Sequence, residues 1–347
     1  MLEPEHGSRH FLFGDGLFNF RVDPLEFDAI KGLTRKRGWT QGIANDERQL
    51  DEFASHTLVA VLAGLCERLR ERHEKPLSNH GPLCYPVFMT SALANKWVVI
   101  TGASSGFGAA AGKIFGSAGA RVLLGARRVD RCQEVAIEAR KAGAPFADAH
   151  KLDVSQTASV EEFAKWVRSQ TPKVDVLVNN AGGAMGLDKV ADAKDSDWEF
   201  MMQTNVLGVL RMTRALLPAM TNNPGSSIIN IGSIAGRTAY EGGAAYCAAK
   251  AGELQITRAL RLELNGTGVR VATLDPGFAE TEFSLVRFKG DETRAKKVYE
   301  GMIPLTAEDI AETLLWIASR PAHVCIDEMV IKPTDQAAVH KVFRRTT

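Results

Sequence analysis

The sequence lacks the features that mark several classes of protein. Its 42 Lys and Arg are nearly balanced by 41 Asp and Glu, so it has no basic excess of the kind typical of nucleic-acid binders. It has five cysteines, an odd number with no CxxC pair, which argues against a disulfide framework and a zinc site. No apolar run approaches the roughly 18 residues of a transmembrane helix, and the opening MLEPEHGSRH lacks the pattern of a signal peptide. We therefore expect a cytoplasmic protein that needs no metal, nucleic acid or membrane as a partner.

What is present is the composition of a folded chain with two distinct parts. Hydrophobic residues make up 45% and charged residues 24% of the 347 residues, which are ordinary values for globular proteins. Residues 1–88 predict an irregular extension with one amphipathic helix over 47–72. This extension packs on the rest of the chain, binds a partner, or precedes a true start at Met89, and the sequence leaves these alternatives open. Residues 89–347 have the length of a single domain.

After Met89, short apolar runs alternate with segments of helical periodicity. Strands are predicted at 97–101, 121–126, 174–179, 227–231, 269–274 and 324–331, with a weaker one at 147–152. Helices are predicted at 107–118, 129–142, 156–169, 195–217, 246–264 and 307–319. Strands that are apolar on both faces and separated by helices indicate a parallel sheet covered on both sides. We therefore predict an α/β fold, a doubly wound Rossmann sheet of about seven strands, with its ligand crevice at the carboxyl ends of the strands.

A glycine-rich turn, TGASSGFG at 101–108, follows the first predicted strand. Gly102, Gly106 and Gly108 there permit a tight turn and a close approach of the backbone to a diphosphate. The N-terminus of the next helix attracts phosphate groups. The turn therefore predicts a dinucleotide site, which also includes Ser104, Ser105 and Phe107.

The end of the second strand bears on the choice between NAD and NADP. An NAD site places an acid there for the ribose hydroxyl, but this sequence has Arg127 and Arg128. Two guanidiniums suit a 2′-phosphate, so NADP(H) is favoured. Asp153, after the third strand, either accepts a hydrogen bond from the adenine amino group or caps a helix.

Polar side chains able to transfer a proton follow the later strands. Tyr246 and Lys250 lie four residues apart and hence on one face of a helix, where the ammonium favours the phenolate. We expect Tyr246 to exchange a proton with the substrate oxygen. Ser233 is expected to hydrogen-bond the same oxygen, and Asn205 to hold a water that links Lys250 to solvent.

These motifs, in this order, resemble the short-chain dehydrogenase/reductase family over residues 95–335. They are the glycine turn at 101–108, NNAG at 179–182, the tetrad Asn205, Ser233, Tyr246 and Lys250, and Pro276-Gly277. Segments 106–108, 125–128, 281–290 and 305–310 resemble one subgroup, the NADP-dependent 3-hydroxy acid dehydrogenases that act on L-allo-threonine, serine and related acids and reduce malonic semialdehyde. Residues 1–88 match nothing in this family.

The resemblance implies a cofactor, a substrate class and an assembly. It implies an NADP(H)-dependent oxidoreductase acting on a short 3-hydroxy acid or 3-oxo acid, and a homotetramer assembled partly through the helices that carry Asn205 and Tyr246. Sulfoacetaldehyde reductase and 3-oxoacyl-carrier reductase are alternatives. A non-catalytic NADPH-binding sensor is less favoured, because a sensor has no need to retain Tyr246 and Lys250. Besides those two side chains, the expected cofactor contacts are completed by Val154, Asn180, Ala181, Gly182, Pro276, Gly277 and Thr281.

A charged segment from Pro276 to Tyr299 leaves the crevice end of a strand and does not alternate as a strand would. We predict that it folds over the site as a lid. A cationic lid favours a small anionic hydroxy acid or aldehyde as substrate, because an Arg fork matches a carboxylate. Arg287 is the first choice for that anchor, and Arg237 is the alternative.

Overall fold

One parallel sheet organises the part of the chain that the structure describes. The structure is a computed structural model, and it describes residues 92–345. The predicted extension over 1–88, its helix over 47–72 and its boundary at Met89 lie outside the described residues. The seven strands are β1 (Trp97–Thr101), β2 (Arg121–Ala126), β3 (Phe146–Lys151), β4 (Val176–Asn179), β5 (Ser227–Ile231), β6 (Arg270–Pro276) and β7 (Glu328–Ile331). Their order across the sheet is β3-β2-β1-β4-β5-β6-β7, and the predicted doubly wound parallel sheet is confirmed.

Helices cover both faces of this sheet. The α-helices are α1 (Gly106–Ser117), α2 (Val129–Ala142), α3 (Thr157–Gln170), α4 (Asp195–Met201), α5 (Gly208–Thr221), α6 (Ala244–Glu263), α7 (Glu282–Arg287), α8 (Glu292–Lys297) and α9 (Ala307–Ala318). Short 3₁₀ turns lie at Val190–Asp192 and Ile234–Gly236. Within residues 92–345 no helix is both long and apolar enough to cross a membrane. The cytoplasmic location expected from the sequence stays a prediction.

The alternation of side chains along β1 explains the two layers of core. Val98 and Ile100 pack into one apolar cluster with Phe115 of α1, whereas Val99 packs into the other with Phe163 of α3. Successive side chains of a strand point to opposite faces, so a strand that is apolar throughout requires a helix layer on each side. All five residues of β1 are buried.

The order of the strands places the ligand crevice. β1 pairs with β2 on one side and with β4 on the other, so the chain reverses its direction of winding beside β1. In doubly wound sheets, ligands bind at the carboxyl ends of the strands at such a switch point. The glycine turn after Thr101 lies at this point.

The predicted helix over 195–217 is interrupted in the structure. A π-helical segment, Met202–Leu207, separates α4 from α5. Within it, the Asn205 side chain Nδ2 donates to the carbonyl of Met201 at 2.8 Å, an acceptor that a regular α-helix reserves for the backbone N–H four residues later. Single π turns of this kind mark functional positions in many helices, and this one carries a member of the predicted tetrad.

Candidate active site

A cavity of about 960 Å³ lies at the carboxyl ends of the strands. It gathers nearly every residue that the sequence marked as a candidate. Those that line it are Gly102, Ser104, Ser105, Gly106, Phe107, Arg127, Arg128, Asp153, Val154, Asn180, Ala181, Gly182, Asn205, Ser233, Tyr246, Lys250, Pro276, Gly277, Thr281 and Arg287. Gly108 and Arg237 do not line it.

The glycine turn is shaped by close backbone contacts. Gly102 has φ +67°, and a Cβ there would lie 2.8 Å from Cα of Ala181. A Cβ on Gly108 would lie 2.5 Å from the carbonyl oxygen of Gly102, so Gly108 serves helix–turn packing from outside the cavity wall. The NNAG segment is tied to the same turn, because Asn180 Nδ2 donates to the Thr101 carbonyl at 2.8 Å.

The start of α1 suits a phosphate group. The helix begins at Gly106, and Ser105 before it makes no side-chain capping bond to the helix amides. Free N–H groups at a helix N-terminus bind anions, and Gly106 and Phe107 line the cavity. The geometry therefore fits the diphosphate of a dinucleotide.

Arg128 links this turn to the lid. It donates from Nε to Ser104 Oγ at 3.2 Å and from Nη2 to Ser105 Oγ at 2.8 Å. Its Nη1 lies 2.9 Å from a carboxylate oxygen of Glu282, which also pairs with Arg131. Arg127 is exposed beside it. Both arginines thus stand at the end of β2, where a 2′-phosphate would lie.

Asp153 lines the cavity just after the end of β3. Its Oδ1 accepts from the backbone N–H of Ser155 at 3.0 Å and from its hydroxyl at 2.7 Å. The alternative that it caps the next helix is wrong, because α3 starts at Thr157 and its N-cap residue is Gln156. A role toward adenine stays a prediction.

Tyr246 and Lys250 face the cavity from α6. Lys250 Nζ donates to the carbonyl of Ile231 at 2.6 Å and to Glu253 Oε2 at 2.7 Å. Ser233 also lines the cavity, and its Oγ accepts from the backbone N–H of Ala235 at 3.1 Å. The spacing of Tyr246 and Lys250 therefore delivers both side chains to one wall of the cavity, as predicted.

Asn205 is fully buried beside this pair. Its Oδ1 accepts from the N–H of Gly183 at 3.1 Å, and its Nδ2 donates to the carbonyls of Gly183 and Met201. The side chain is therefore bonded to backbone at the π-helical break. The water that the sequence assigns to Asn205 stays a prediction.

Glu253 was missed in the reading of the sequence. Its side chain has 0% exposure, and burial raises its pKa to about 7 in spite of the nearby Lys250 ammonium. Burial alone would lower the pKa of Lys250, but its interactions with Glu253, Tyr246 and Asp275 together outweigh burial and raise that pKa. A signal was available, because residues three apart share a helix face and Glu253 follows Lys250 by three.

The lid brings one of the two candidate anchors into the cavity. Arg287, at the end of α7, donates from Nη2 to the Tyr240 hydroxyl at 2.8 Å and from Nε to the Gly186 carbonyl at 3.0 Å. Its guanidinium carbon lies 5.6 Å from the centre of the Tyr246 ring. Phe283 packs on the same ring at 5.6 Å between centroids. Arg287 thus lies beside Tyr246, the residue that the sequence predicts to transfer the proton.

The other candidate anchor, Arg237, is not brought to the cavity. Its Nε lies 2.5 Å from Asp275 and its Nη2 2.7 Å from Glu328. Hydrogen bonds from Arg258 and Arg237 lower the pKa of Glu328 to about 2, so Glu328 is ionised when it holds the guanidinium. This placement does not support the expectation that Arg237 binds substrate.

Residues near the end of the described chain form a part of the cavity wall that the sequence patterns did not predict. Gln336, Val339, His340 and Arg344 line the cavity. Gln336 Oε1 accepts from the backbone N–H of Phe278 at 2.8 Å, two residues after Pro276. No local motif marks these residues, because they reach the cavity only through the packing of the chain after β7. Within residues 92–345 no group of three or more His, Cys, Asp or Glu side chains is arranged to hold a metal ion.

Comparisons with known proteins agree with this geometry. The family model described as short chain dehydrogenase matches residues 96–291. The chain is 42% identical over 256 residues to an NADP-dependent 3-hydroxy acid dehydrogenase of Schizosaccharomyces pombe, covering 74% of this chain and 99% of that protein. It is 41% identical over 241 residues to sulfoacetaldehyde reductase 2 of Chromohalobacter salexigens, covering 69% of this chain and 95% of that protein. Its fold is similar to a closed form of serine dehydrogenase complexed with NADP+, with TM-score 0.67 and 39% identity, over 72% of this chain and 100% of that one.

Proposed function

The chain belongs to the short-chain dehydrogenase/reductase family, and we propose that it is an NADP(H)-dependent oxidoreductase that interconverts a short 3-hydroxy acid and the corresponding 3-oxo acid or semialdehyde. Candidate substrates are of the serine, L-allo-threonine and 3-hydroxypropionate type. The observation that carries the substrate class is the position of Arg287, whose guanidinium carbon lies 5.6 Å from the centre of the Tyr246 ring within one cavity.

The residues of the cavity fit the cofactor. The uncapped start of α1 at Gly106 offers free backbone N–H groups to a diphosphate. Arg127 and Arg128 supply two guanidiniums for the 2′-phosphate. When bound, the nicotinamide supplies or accepts the hydride, and the protein supplies position and proton transfer.

Tyr246 handles the proton. In carbonyl reduction its hydroxyl donates a proton to the substrate oxygen, and in alcohol oxidation its phenolate accepts one. The Lys250 ammonium attracts the negative charge of the phenolate and is held in place by the Ile231 carbonyl and Glu253. Ser233 Oγ, bonded to one backbone N–H, keeps its own proton available for the same substrate oxygen.

Arg287 is the anchor for the substrate anion. An Arg fork binds a carboxylate through two parallel hydrogen bonds, and the Arg287 side chain is oriented by the Tyr240 hydroxyl and the Gly186 carbonyl. A carboxylate bound there lies near Tyr246, so only a short substrate brings its hydroxyl-bearing carbon under the phenol. A sulfonate meets the same guanidinium, and the relative named sulfoacetaldehyde reductase 2 makes sulfoacetaldehyde the second candidate substrate.

We also propose that the enzyme assembles as a homotetramer, partly through α6, which carries Tyr246, and partly through the π-helical segment that carries Asn205 and continues into α5. Leu210 on α5 is 41% exposed and Leu262 on α6 is 79% exposed. Large apolar side chains exposed on these two helices favour burial against a second copy of the chain. Light scattering during size-exclusion chromatography measures the assembly directly.

The proposed reaction is tested by the change in NADPH absorbance over a panel of substrates. The panel pairs malonic semialdehyde and sulfoacetaldehyde with a neutral aldehyde of similar size, and serine and L-allo-threonine with neutral alcohols. We expect turnover with NADP(H) and a preference for the members that carry a carboxylate or a sulfonate group. Equal rates on neutral and anionic substrates would contradict the assignment of Arg287, and no turnover with any of them would contradict an oxidoreductase of this class.

A further inference from the structure

A buried carboxylate lies directly behind the proton-transfer pair. Glu253 has 0% exposure, and its Oε2 accepts a hydrogen bond from Lys250 Nζ at 2.7 Å. Its Oε1 is buried and has no hydrogen-bond partner among the described residues. Burying a carboxyl group that is not fully hydrogen-bonded destabilises a fold. Its position beside Lys250 therefore suggests that the group has a function.

Few charged groups act on the Glu253 carboxyl. The charged groups that act on its carboxyl are Lys250, on the same helix, and Asp275, on β6. Asp275 is itself paired with Arg237. The strand and the π-helical segment nearest to Lys250 contribute neutral groups, the Ile231 carbonyl and Asn205. The charge on Glu253 therefore acts chiefly on Lys250 and, beyond it, on Tyr246, which is itself electrostatically linked to Lys250.

The consequence follows from the signs of the charges. A lone ammonium stabilises the Tyr246 phenolate, whereas an ammonium beside a carboxylate stabilises it less, because the carboxylate repels the phenolate. A charged Glu253 thus favours the form of Tyr246 that holds its proton, which is the form that carbonyl reduction uses. Burial raises the pKa of Glu253 to about 7, so its charge changes within the working range of an enzyme.

We propose that Glu253 is a positioning residue that holds the Lys250 ammonium and weakens its attraction for the Tyr246 phenolate, so that alcohol oxidation requires a higher pH than Lys250 alone would set. This inference rests on the proposed roles of Tyr246 and Lys250.

The test uses the full chain carrying Glu253→Gln, which removes the charge and keeps the shape. In the pH profile of kcat/KM for alcohol oxidation at saturating NADP+, we expect the acidic limb to move about one pH unit lower. At a fixed pH on that limb, the kcat/KM of Glu253→Gln should therefore be about tenfold higher than that of the parent protein. Glu253→Asp keeps the negative charge, so the acidic limb of its pH profile should stay at the same pH as in the parent protein. Glu263→Gln makes the same chemical change at an exposed position of α6 and should also leave the limb in place.

A second measurement does not depend on turnover. The ultraviolet absorbance of the phenolate is titrated in each protein, and the same protein carrying Tyr246→Phe is subtracted. We expect the Tyr246 signal to rise about one pH unit lower in Glu253→Gln than in the parent. If Glu253→Gln does not fold, Glu253→Leu removes the charge with an apolar side chain and carries the same expectation.

A purely structural role would lower kcat or thermal stability and leave both titrations unmoved, and that result would overturn the inference. The inference would also be overturned if the acidic limb or the phenolate signal of Glu253→Gln moved to higher pH. A parent that turns over no substrate while its phenolate signal shifts on Glu253→Gln would contradict the proposed function and support the role of Glu253. A parent that is active while neither titration shifts would contradict only the role of Glu253.

Discussion

The carboxylate of Glu282, in the first turn of α7, lies 2.9 Å from Nη1 of Arg128 at the end of β2. Through its other donors, Arg128 is bonded to Ser104 and Ser105 in the glycine turn. One side chain therefore joins the lid to the turn that would hold the cofactor diphosphate. A 2′-phosphate bound at Arg128 competes with Glu282 for the same guanidinium, so the lid and the cofactor share a contact.

This relationship predicts that Glu282→Gln binds NADP more tightly. Removing the competing charge leaves Arg128 free for the phosphate, and because exposed ion pairs contribute about 0.2–1 kcal/mol, we expect a gain of up to about fivefold. NAD affinity should not change. Calorimetric titration of both cofactors measures the effect, with Glu292→Gln, an exposed acid elsewhere in the lid, as the matched control. Weaker binding of NADP by Glu282→Gln would mean that the carboxylate orients Arg128 for the phosphate.

The choice of NADP over NAD is expected to depend on Arg127 and Arg128. Hydrogen bonds to charged groups contribute roughly 1.5–3 kcal/mol each. Replacing both arginines by Ala should therefore weaken NADP binding by about two orders of magnitude or more and leave NAD binding nearly unchanged. Arg168→Ala, on α3 with its side chain exposed, is the control. Equal use of NAD and NADP by the unmodified protein would contradict this assignment.

Tyr246→Phe is expected to abolish turnover and preserve NADPH binding. The change removes the proton donor while the ring keeps its packing against Phe283. Steady-state kinetics and NADPH fluorescence measure the two properties on the same sample. Tyr299→Phe removes the same hydroxyl from a bond to Ser284 in the lid and should retain turnover. Substantial activity in Tyr246→Phe would assign the proton to another group.

Arg287→Met is expected to raise KM for an acid substrate by about 10- to 100-fold and to change KM for a neutral aldehyde of the same size far less. The change removes the guanidinium but keeps an apolar side chain in the lid. Arg237→Met is the matched comparison, because it leaves the buried Asp275 without its partner but does not touch the cavity. It should lower thermal stability and leave the ratio of the two KM values unchanged. A change in that ratio for Arg237→Met and not for Arg287→Met would reverse the assignment.

A chain that starts at Met89 is expected to fold, assemble and turn over substrate like the full chain. The seven strands and the proposed site residues lie within residues 92–345. Circular dichroism, light scattering and the NADPH assay compare the two lengths. An insoluble or inactive shorter chain would show that residues 1–88 contribute to the core or to the site.

The sequence alone determined the architecture and most of the residues that line one cavity, because short-range patterns carry both. Strands that are apolar on both faces require helices on both sides, and the glycine turn lies between β1 and α1, in the strand–turn–helix context that a dinucleotide-binding turn needs. Tyr246 and Lys250 share a face because a helix returns every 3.6 residues. Each of these inferences depends on residues that are close in the chain.

Only the tertiary structure determined the positions and environments of side chains that contact segments distant in the sequence. The sequence made Arg287 the first choice for the anchor and Arg237 the alternative, but it could not place either side chain. Asp275 on β6 and Glu328 on β7 hold Arg237 away from the cavity, whereas Arg287 reaches Tyr246. The same holds for Glu253, an ordinary acid on a helix until packing removes it from water. The energy of a charge depends on everything packed around it, and that surrounding is assembled from segments far apart in the sequence.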